Sequence, residues 1–577
     1  LSVGSLAFDA AASRWLVKAQ PHVAIRVKRL FEKAAQFTAG EIKLADSLEN
    51  CRELLWFLER YELEMTEADR SRLAARAAEH RERESLVEQM LSGQLPPRAF
   101  ELAIPPRDYQ RVGADLWIRM GGLLLADDTG IGKTCSAICA LTDPRLRPAV
   151  VVTLTHLMGQ WREQLQRFAP ALTTHVVKGA QPYDLAAPKK TRGAQLALPG
   201  QFPDVVITCY SRLAGWSTTL APLVNSVVFD EIQELRTGTA SNKGAAAYEI
   251  AGSVGWRIGL SATPIYNYGG EIYNVLKAIA PPDTLGTKDE FHREHCGATD
   301  ARGRANLKDP KAFGTWLRSA GLMLRRTRKE VGRELPDVIK ISHEIDCDSA
   351  PLKEISGAAE KLAQIIVERN GSQFDRMKAA GDFDMMVRHA TGVAKAPYVA
   401  EFVRMLITGN DEPVVLFGWH RDVYSIWMER LADLNPVLYT GSESATQKAE
   451  AGRKFIEGES KLLIMSLRSG AGLDGLQAVP NAVVVFGELD WSPGVHSQCT
   501  DRVDRDGKHA EHVVYYLLSD SGSDPAMADV LGVKRSQVEG LRNPDEDLIE
   551  KLDRSGDRVR TLAEQFLAKG RKKANAA

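Results

Sequence analysis

This sequence predicts an α/β protein built from two doubly wound parallel sheets, and three observations lead there. Short apolar runs bounded by turn residues occur in two separate series, helical patterns fill the intervals within each series, and a charged, helical stretch keeps the two series apart. Strand and helix in alternation make a parallel sheet covered on both faces, and two series make two lobes.

The first series comprises Gly122 to Ala126, Ala149 to Leu154, Val205 to Thr208 and Val227 to Phe229. The second comprises Val414 to Phe417, Lys461 to Met465, Ala482 to Phe486 and His512 to Leu518. The runs are mostly apolar rather than alternating, as burial on both faces requires. The expected organisation is a first lobe over residues 101–270, a helical insertion and linker over 271–395, a second lobe over 396–540, and a C-terminal helix with a basic tail over 541–577. Residues 1–100 read as a helical accessory region, amphipathic from Cys51 to Arg60 and charge-dense from Glu67 to Glu88, which suits a solvated helix face. The terminal Arg571, Lys572 and Lys573 read as a tail.

Composition bounds the function classes. At about 150 residues per domain, 577 residues allow three or four domains, each with its own core. Lys and Arg total 74 against 75 Asp and Glu, so a uniformly basic, histone-like binder is excluded and any polyanion surface has to be local. The seven cysteines, at 51, 135, 139, 209, 296, 347 and 499, form no Cys-x-x-Cys pair, which argues against a zinc module and for a reducing compartment without disulfides. Apolar stretches such as Leu123 to Ala126 fall far short of the roughly 18 residues of a membrane span, so a soluble protein is expected. A chain that starts at Leu1 reads as trimmed or as lacking an N-terminal module.

Chemistry concentrates first in Ala126-Asp127-Asp128-Thr129-Gly130-Ile131-Gly132-Lys133-Thr134, which follows an apolar strand and opens a helical pattern. That context is what a phosphate-binding loop requires. Gly130 and Gly132 let backbone N–H groups from Asp128 through Gly132 converge on phosphate oxygens, Lys133 neutralises the β and γ charges, and Thr134 is placed to ligate magnesium. Asp127 stands where the usual pattern has its first glycine. Cys135 and Cys139 follow on the helix and read as packing residues.

About a hundred residues later, the apolar run Val227 to Phe229 ends in Asp230-Glu231-Ile232-Gln233. With the phosphate loop upstream, Asp230 is the candidate magnesium carboxylate and Glu231 the candidate base that orients and deprotonates a water. The alternative, an acidic helix N-terminus, explains the pair without explaining the loop. Upstream, Arg107, Tyr109 and Gln110 offer an aromatic face and an amide for adenine. The cofactors implied are ATP and magnesium.

With these residues in hand, the chain resembles the Swi/Snf-family ATPases of helicase superfamily two over about residues 107–541. The resemblance runs in order through Tyr109-Gln110, the phosphate loop, Leu157 to Trp161, Thr208-Cys209-Tyr210, Asp230 to Gln233, Gly259 to Pro264, Leu324 to Arg328, Leu335-Pro336, Thr440-Gly441, Ser466 to Gly472 and Gln498 to Gly507. It implies two RecA-like lobes, ATP hydrolysis, and a Gly472 placed at the nucleotide. Gln498 to Arg505 resembles the family's arginine-finger motif, with Gln498 joined to Arg502 and Arg505, which stand three apart as on one helical face. Ser261-Ala262-Thr263 resembles the element that links nucleotide to DNA track. Thr155, Thr208, Tyr210, Thr440, Gly441, Ser466 and Arg468 match the family's DNA-contacting positions, each of them equally readable as a satisfied turn residue.

A finer similarity, Phe486 to Gly494 together with Thr391 to Pro397, is to the annealing-helicase branch. Its Ala- and Arg-rich, compact character leans bacterial or phage. Two departures stand out: Gln233 replaces the family's histidine, and Lys508 its glutamine. The function implied is an ATP-dependent translocase on double-stranded or forked DNA, bound without sequence specificity, acting as a monomer in the cytoplasm or nucleoid, with the N-terminal region free for a protein partner and no membrane involvement. The competing readings are a strand-separating helicase and an ATP-gated factor that remodels DNA-bound proteins.

Overall fold

Two-sided burial of short apolar strands dictates the architecture. The structure, a computed structural model, describes residues 2–34, 40–186, 202–262, 271–282, 284–299, 305–332, 338–367, 373–467, 473, 475–504, 512–528, 562–564 and 567–568. The chain divides into two units, the first formed mainly by residues 1–327 and the second mainly by residues 328–577.

The first unit opens with a part that the sequence reading missed. Residues 1–100 were expected to be helical, yet they begin with a three-stranded antiparallel sheet, β1 (Gly4–Asp9), β2 (Arg14–Ala19) and β3 (Ile42–Ala45). Period-two alternation is present, with Leu6, Trp15, Val17, Ile42 and Leu44 all buried, but in runs of only four to six residues it cannot be told from a helix turn. Helices α1 (Pro21–Leu30), α2 (Leu48–Leu58) and α3 (Glu67–Leu91) close this core. The charge run is α3, and it is more than a solvated face: Arg72 and Arg76 both pair with the buried Asp46, which also accepts from the Trp15 indole at 2.8 Å. The region sits on the Lys288–Ser319 part of the same unit through Arg14–Glu290 (3.3 Å), Lys33–Glu294 (3.4 Å) and the Trp316 indole on Glu49 (2.9 Å).

Beyond α4 (Asp108–Met120) comes the first lobe's sheet, whose pairings are all parallel. Its strands are β4 (Gly122–Leu125), β5 (Ala149–Thr153), β6 (Thr174–Val176), β7 (Val205–Cys209), β8 (Ser226–Asp230), β9 (Trp256–Leu260) and, after a hairpin of β10 (Cys296–Thr299) and β11 (Ala305–Leu307), β12 (Met323–Leu324). The order across the sheet is β12-β4-β9-β8-β5-β7-β6. Helix α5 (Lys133–Leu141) follows β4 after the phosphate loop. The four expected strands are present.

In the second unit, β13 (Val338–Glu344), β14 (Val414–Gly418), β15 (Val437–Tyr439), β16 (Leu462–Ser466), β17 (Val483–Phe486) and β18 (His512–Leu518) form a parallel sheet in the order β13-β18-β17-β14-β16-β15. Alternate residues feed opposite cores. Val414, Leu416, Leu462 and Ile464 pack on one face, and Val415, Phe417, Leu463 and Met465 on the other. The stretch 271–395, expected to be helical linker, thus supplies an edge strand to each sheet, β12 and β13. A helix of 37 residues, Gln373–Gly409, runs through the expected 395/396 boundary. Among the described residues no helix is long and apolar enough to cross a membrane.

Candidate functional site

The phosphate loop leaves the end of β4 and turns into α5 through Gly130 (φ 80) and Gly132 (φ 92), both in the left-handed region where a side chain is disfavoured. At Gly132 a Cβ would also lie 2.4 Å from Gln110 Nε2, so that amide would have to move. Gln110 is buried, and its Oε1 accepts from the Arg107 backbone N–H at 3.0 Å, so it supports the loop from behind. Arg107 is exposed and donates to the Tyr109 hydroxyl at 3.2 Å, while the Arg326 guanidinium covers the Tyr109 ring at 5.4 Å.

Lys133, the first residue of α5, folds its ammonium back over the loop and donates to the carbonyl oxygens of Asp127 (2.8 Å) and Asp128 (3.1 Å). Burial pulls its pKa down, and the charges of Asp127, Glu231 and Asp128 oppose that. Thr134 is next to it and half-buried. Asp127, which occupies the place of the expected glycine, is 1% exposed and binds Arg326 through its backbone N (3.0 Å), Nε (3.1 Å) and Nη2 (2.5 Å). Asp128 likewise holds Arg325 Nη2 at 2.6 Å. The departure from the usual loop therefore anchors the residues after β12 to the loop. The resemblance included Arg325 and Arg326 but gave them no partner; the signal was the unexplained acid at 127.

The carboxylate pair stands at the end of β8. Asp230 Oδ2 accepts from both Thr153 Oγ1 and Trp161 Nε1, each at 2.8 Å. Burial pushes this carboxyl up, against those two hydrogen bonds and the Lys133 charge. A divalent cation would hold it ionised. Glu231 adopts φ 53, unusual for a residue with a side chain, and its Oε2 accepts from Gln233 Nε2 at 2.5 Å. A loop with left-handed glycines, a lysine over it, and a carboxylate and a hydroxyl of hard oxygen chemistry fit a nucleoside triphosphate with magnesium.

The expected DNA-contacting residues separate into two groups. Thr155 and Gly441 are exposed and Ser466, at the end of β16, is half-buried. Thr208 and Tyr210 are buried, and the Tyr210 hydroxyl donates to the Asp230 carbonyl at 2.8 Å. Thr440 is also buried, and its N–H and hydroxyl both serve Glu443 Oε2 (2.5 and 2.9 Å). In this conformation these three shape the strand ends rather than present groups to a polyanion. Beside Thr155 opens a cleft lined by Thr153, Tyr210, Ser211, Glu234, Asn242 and Lys243.

In the second unit Gln498 is half-buried on the helix Pro493–Thr500, and Arg502 is 9% exposed. The helix ends at Thr500, and the chain after it keeps both i→i+3 and i→i+4 bonds, Arg502 N to Cys499 O and Asp504 N to Thr500 O. Arg505, expected on one helical face with Arg502, lies outside the described residues, as do Arg468, Gly472, Thr263, Leu335, Pro336, Lys508 and the 571–573 tail. The Thr391 to Pro397 segment is a clamp within this lobe. Lys395, 1% exposed, donates to Asp524 (2.7 Å) and the Leu517 carbonyl (2.9 Å), and Thr391 accepts from Ser523 N at 3.0 Å. Neighbouring Glu488 accepts from the N–H groups of Trp419 (2.6 Å) and His420 (3.0 Å).

A glycine-rich loop between the first strand of a doubly wound sheet and its helix, with a carboxylate pair at the end of another strand, defines a P-loop nucleotide-binding fold. Residues 14–356, more than half of the chain, match the SNF2-related domain, and the chain belongs to that family. It is 24% identical over 453 residues to the DNA annealing helicase and endonuclease ZRANB3 of Bos taurus, covering 75% of this chain and 40% of that protein. It is 26% identical over 430 residues to the SWI/SNF-related matrix-associated actin-dependent regulator of chromatin subfamily A-like protein 1 of Xenopus tropicalis, covering 72% and 43%. To the putative ATP-dependent helicase/translocase YwqA of Bacillus subtilis it is 24% identical over 456 residues, covering 74% and 47%. The chain thus spans under half the length of these relatives. Among solved structures, the Sulfolobus solfataricus SWI2/SNF2 ATPase core in complex with dsDNA aligns at 20% identity and a TM-score of 0.35, covering 79% of this chain and all of that one.

Proposed function

We propose that this chain is an ATP-dependent translocase on double-stranded DNA, moving along or remodelling DNA and its bound proteins without separating the strands. The observation that carries the reading is the pairing, within one lobe of an SNF2-related chain, of a phosphate loop with the Asp230-Glu231 carboxylates at the end of β8. Binding alone would need only the loop; the carboxylates supply hydrolysis.

In this reading the backbone N–H groups from Asp128 to Gly132 and the Lys133 ammonium hold the phosphates, and Arg107, Tyr109, Gln110 and Gly472 serve the nucleotide. Thr134 and Asp230 would hold magnesium, which when bound supplies charge neutralisation at the phosphate oxygens. Glu231 holds the attacking water by hydrogen bond and takes its proton. Gln498, Arg502 and Arg505 are the second lobe's contribution to stabilising charge on the transferred phosphoryl group. Thr155 and its cleft, with Gly441 and Ser466, meet backbone phosphates, so binding is independent of sequence and falls steeply with salt.

The test is the steady-state ATPase rate with duplex, forked or single-stranded DNA or RNA, with Lys133→Ala as control. Duplex or forked DNA stimulates most and Lys133→Ala is inactive if the reading holds. Preference for single strands or RNA overturns it in favour of a conventional helicase, and stimulation by none of them in favour of a partner-activated switch.

A further inference from the structure

The cleft beside Thr155 carries an acid where a phosphate-binding surface has no use for one. Thr155, Ser211 and Asn242 offer exposed donors, and Lys243 adds a cation, yet Glu234 is there too, the one carboxylate among the described residues that line the cleft. Glu234 Oε2 holds Lys243 Nζ at 2.5 Å, both side chains about a third exposed, with Arg236 a further 3.8 Å from Glu234. A carboxylate facing a polyanion is repulsive, so its place there calls for another role.

That role follows from the chain to which Glu234 belongs. It lies in the single turn Ile232–Leu235 directly after Asp230-Glu231, and its N–H donates to the Glu231 carbonyl at 3.0 Å. The same turn carries Gln233, whose amide holds the Glu231 carboxylate at 2.5 Å. A carboxylate held by an amide donor is a weaker base and has an oxygen turned from any water. Tying Glu234 to Lys243, at the start of the helix Asn242–Ser253, therefore fixes the turn that keeps Glu231 engaged.

We propose that Glu234 and Lys243 are positioning residues that report the arrival of DNA to the hydrolytic carboxylate. A backbone phosphate in the cleft takes Lys243 from Glu234, the turn relaxes, and Glu231 leaves Gln233 for the water. The inference rests on the DNA-dependent reading above and names the contact through which DNA stimulates turnover.

Phosphate release by the full chain at saturating ATP and magnesium, over a duplex DNA titration, tests it with Glu234→Gln, Lys243→Gln and the double variant, melting temperatures measured alongside. Each single change raises the DNA-free rate, on the order of threefold for a partly exposed ion pair. The double variant goes no higher than either single, because all three remove one bond. Lys243→Gln also raises the DNA concentration for half-maximal rate. A stimulated wild-type chain with unchanged DNA-free rates in the variants overturns the coupling alone, as do rates that fall with the melting temperature. A wild-type chain that duplex DNA does not stimulate removes the DNA-dependent reading and the coupling together.

Discussion

The indole N–H of Trp161 and the hydroxyl of Thr153 converge on one oxygen of Asp230, each at 2.8 Å. Such donors behind a metal-binding carboxylate set its orientation, and their loss typically lowers metal affinity by about 10- to 100-fold. Trp161→Phe keeps the buried ring and removes the donor. The magnesium concentration for half-maximal ATPase should rise by about tenfold, with the maximal rate at saturating magnesium reduced much less, as a magnesium titration of phosphate release will show.

Asp127 and Arg326 make a second prediction, about stability. Both are buried or nearly so, and their three bonds tie the phosphate loop to the chain after β12. Asp127→Ala leaves a guanidinium without its counter-charge and should cost about 3 kcal/mol in the first unit's urea transition. Asp127→Ala with Arg326→Met should recover most of that loss, because both charges go together.

The clamp in the second lobe should behave in the same way. Lys395→Met strands the buried Asp524, and a loss of about 3 kcal/mol is expected in that lobe's unfolding. Lys133, in the other unit, should keep its nucleotide affinity in this variant, which a fluorescent nucleotide titration measures directly.

Acid sensitivity should arise at His496. Its Nδ1–H donates to the Ser492 carbonyl (3.0 Å) and its Nε2 accepts from Asp490 N–H (3.3 Å), so the buried ring is neutral. Burial lowers its pKa from 6.5 to about 4. Between those values the unfolded chain takes a proton that the folded chain refuses, so stability rises with pH across the window and is lost on acidification, by at most about 1.4 kcal/mol per pH unit. Chemical denaturation from pH 4 to 7 should give a flatter slope for His496→Gln than for the wild-type chain.

Much of this was legible in the sequence because a parallel strand buried on both faces is a continuous apolar run, as Val227 to Phe229 is. The strands that escaped are those that break this rule. In β9, Arg257 interrupts the run, yet it is buried, its guanidinium accepted by the carbonyls of Ala251 (2.5 Å) and Val254 (2.6 Å) at the end of a helix. The edge strands β6 and β12 have three and two residues, too few for any period. At the site, residue types that chemistry demands, Lys133, Asp230 and Glu231, were readable from spacing. What holds them was not, because Trp161 and Arg326 lie 69 and 199 residues from their partners Asp230 and Asp127, and only the fold brings them together.

The most direct test of movement on an intact duplex is displacement of a third strand from a DNA triplex, run beside strand separation of a forked duplex. Wild-type protein with ATP should release the third strand while both duplexes stay paired, and Glu231→Gln, which still binds nucleotide, should release nothing. Separation of the forked duplex, or an ATPase that duplex DNA stimulates but that leaves the triplex intact, would contradict the account.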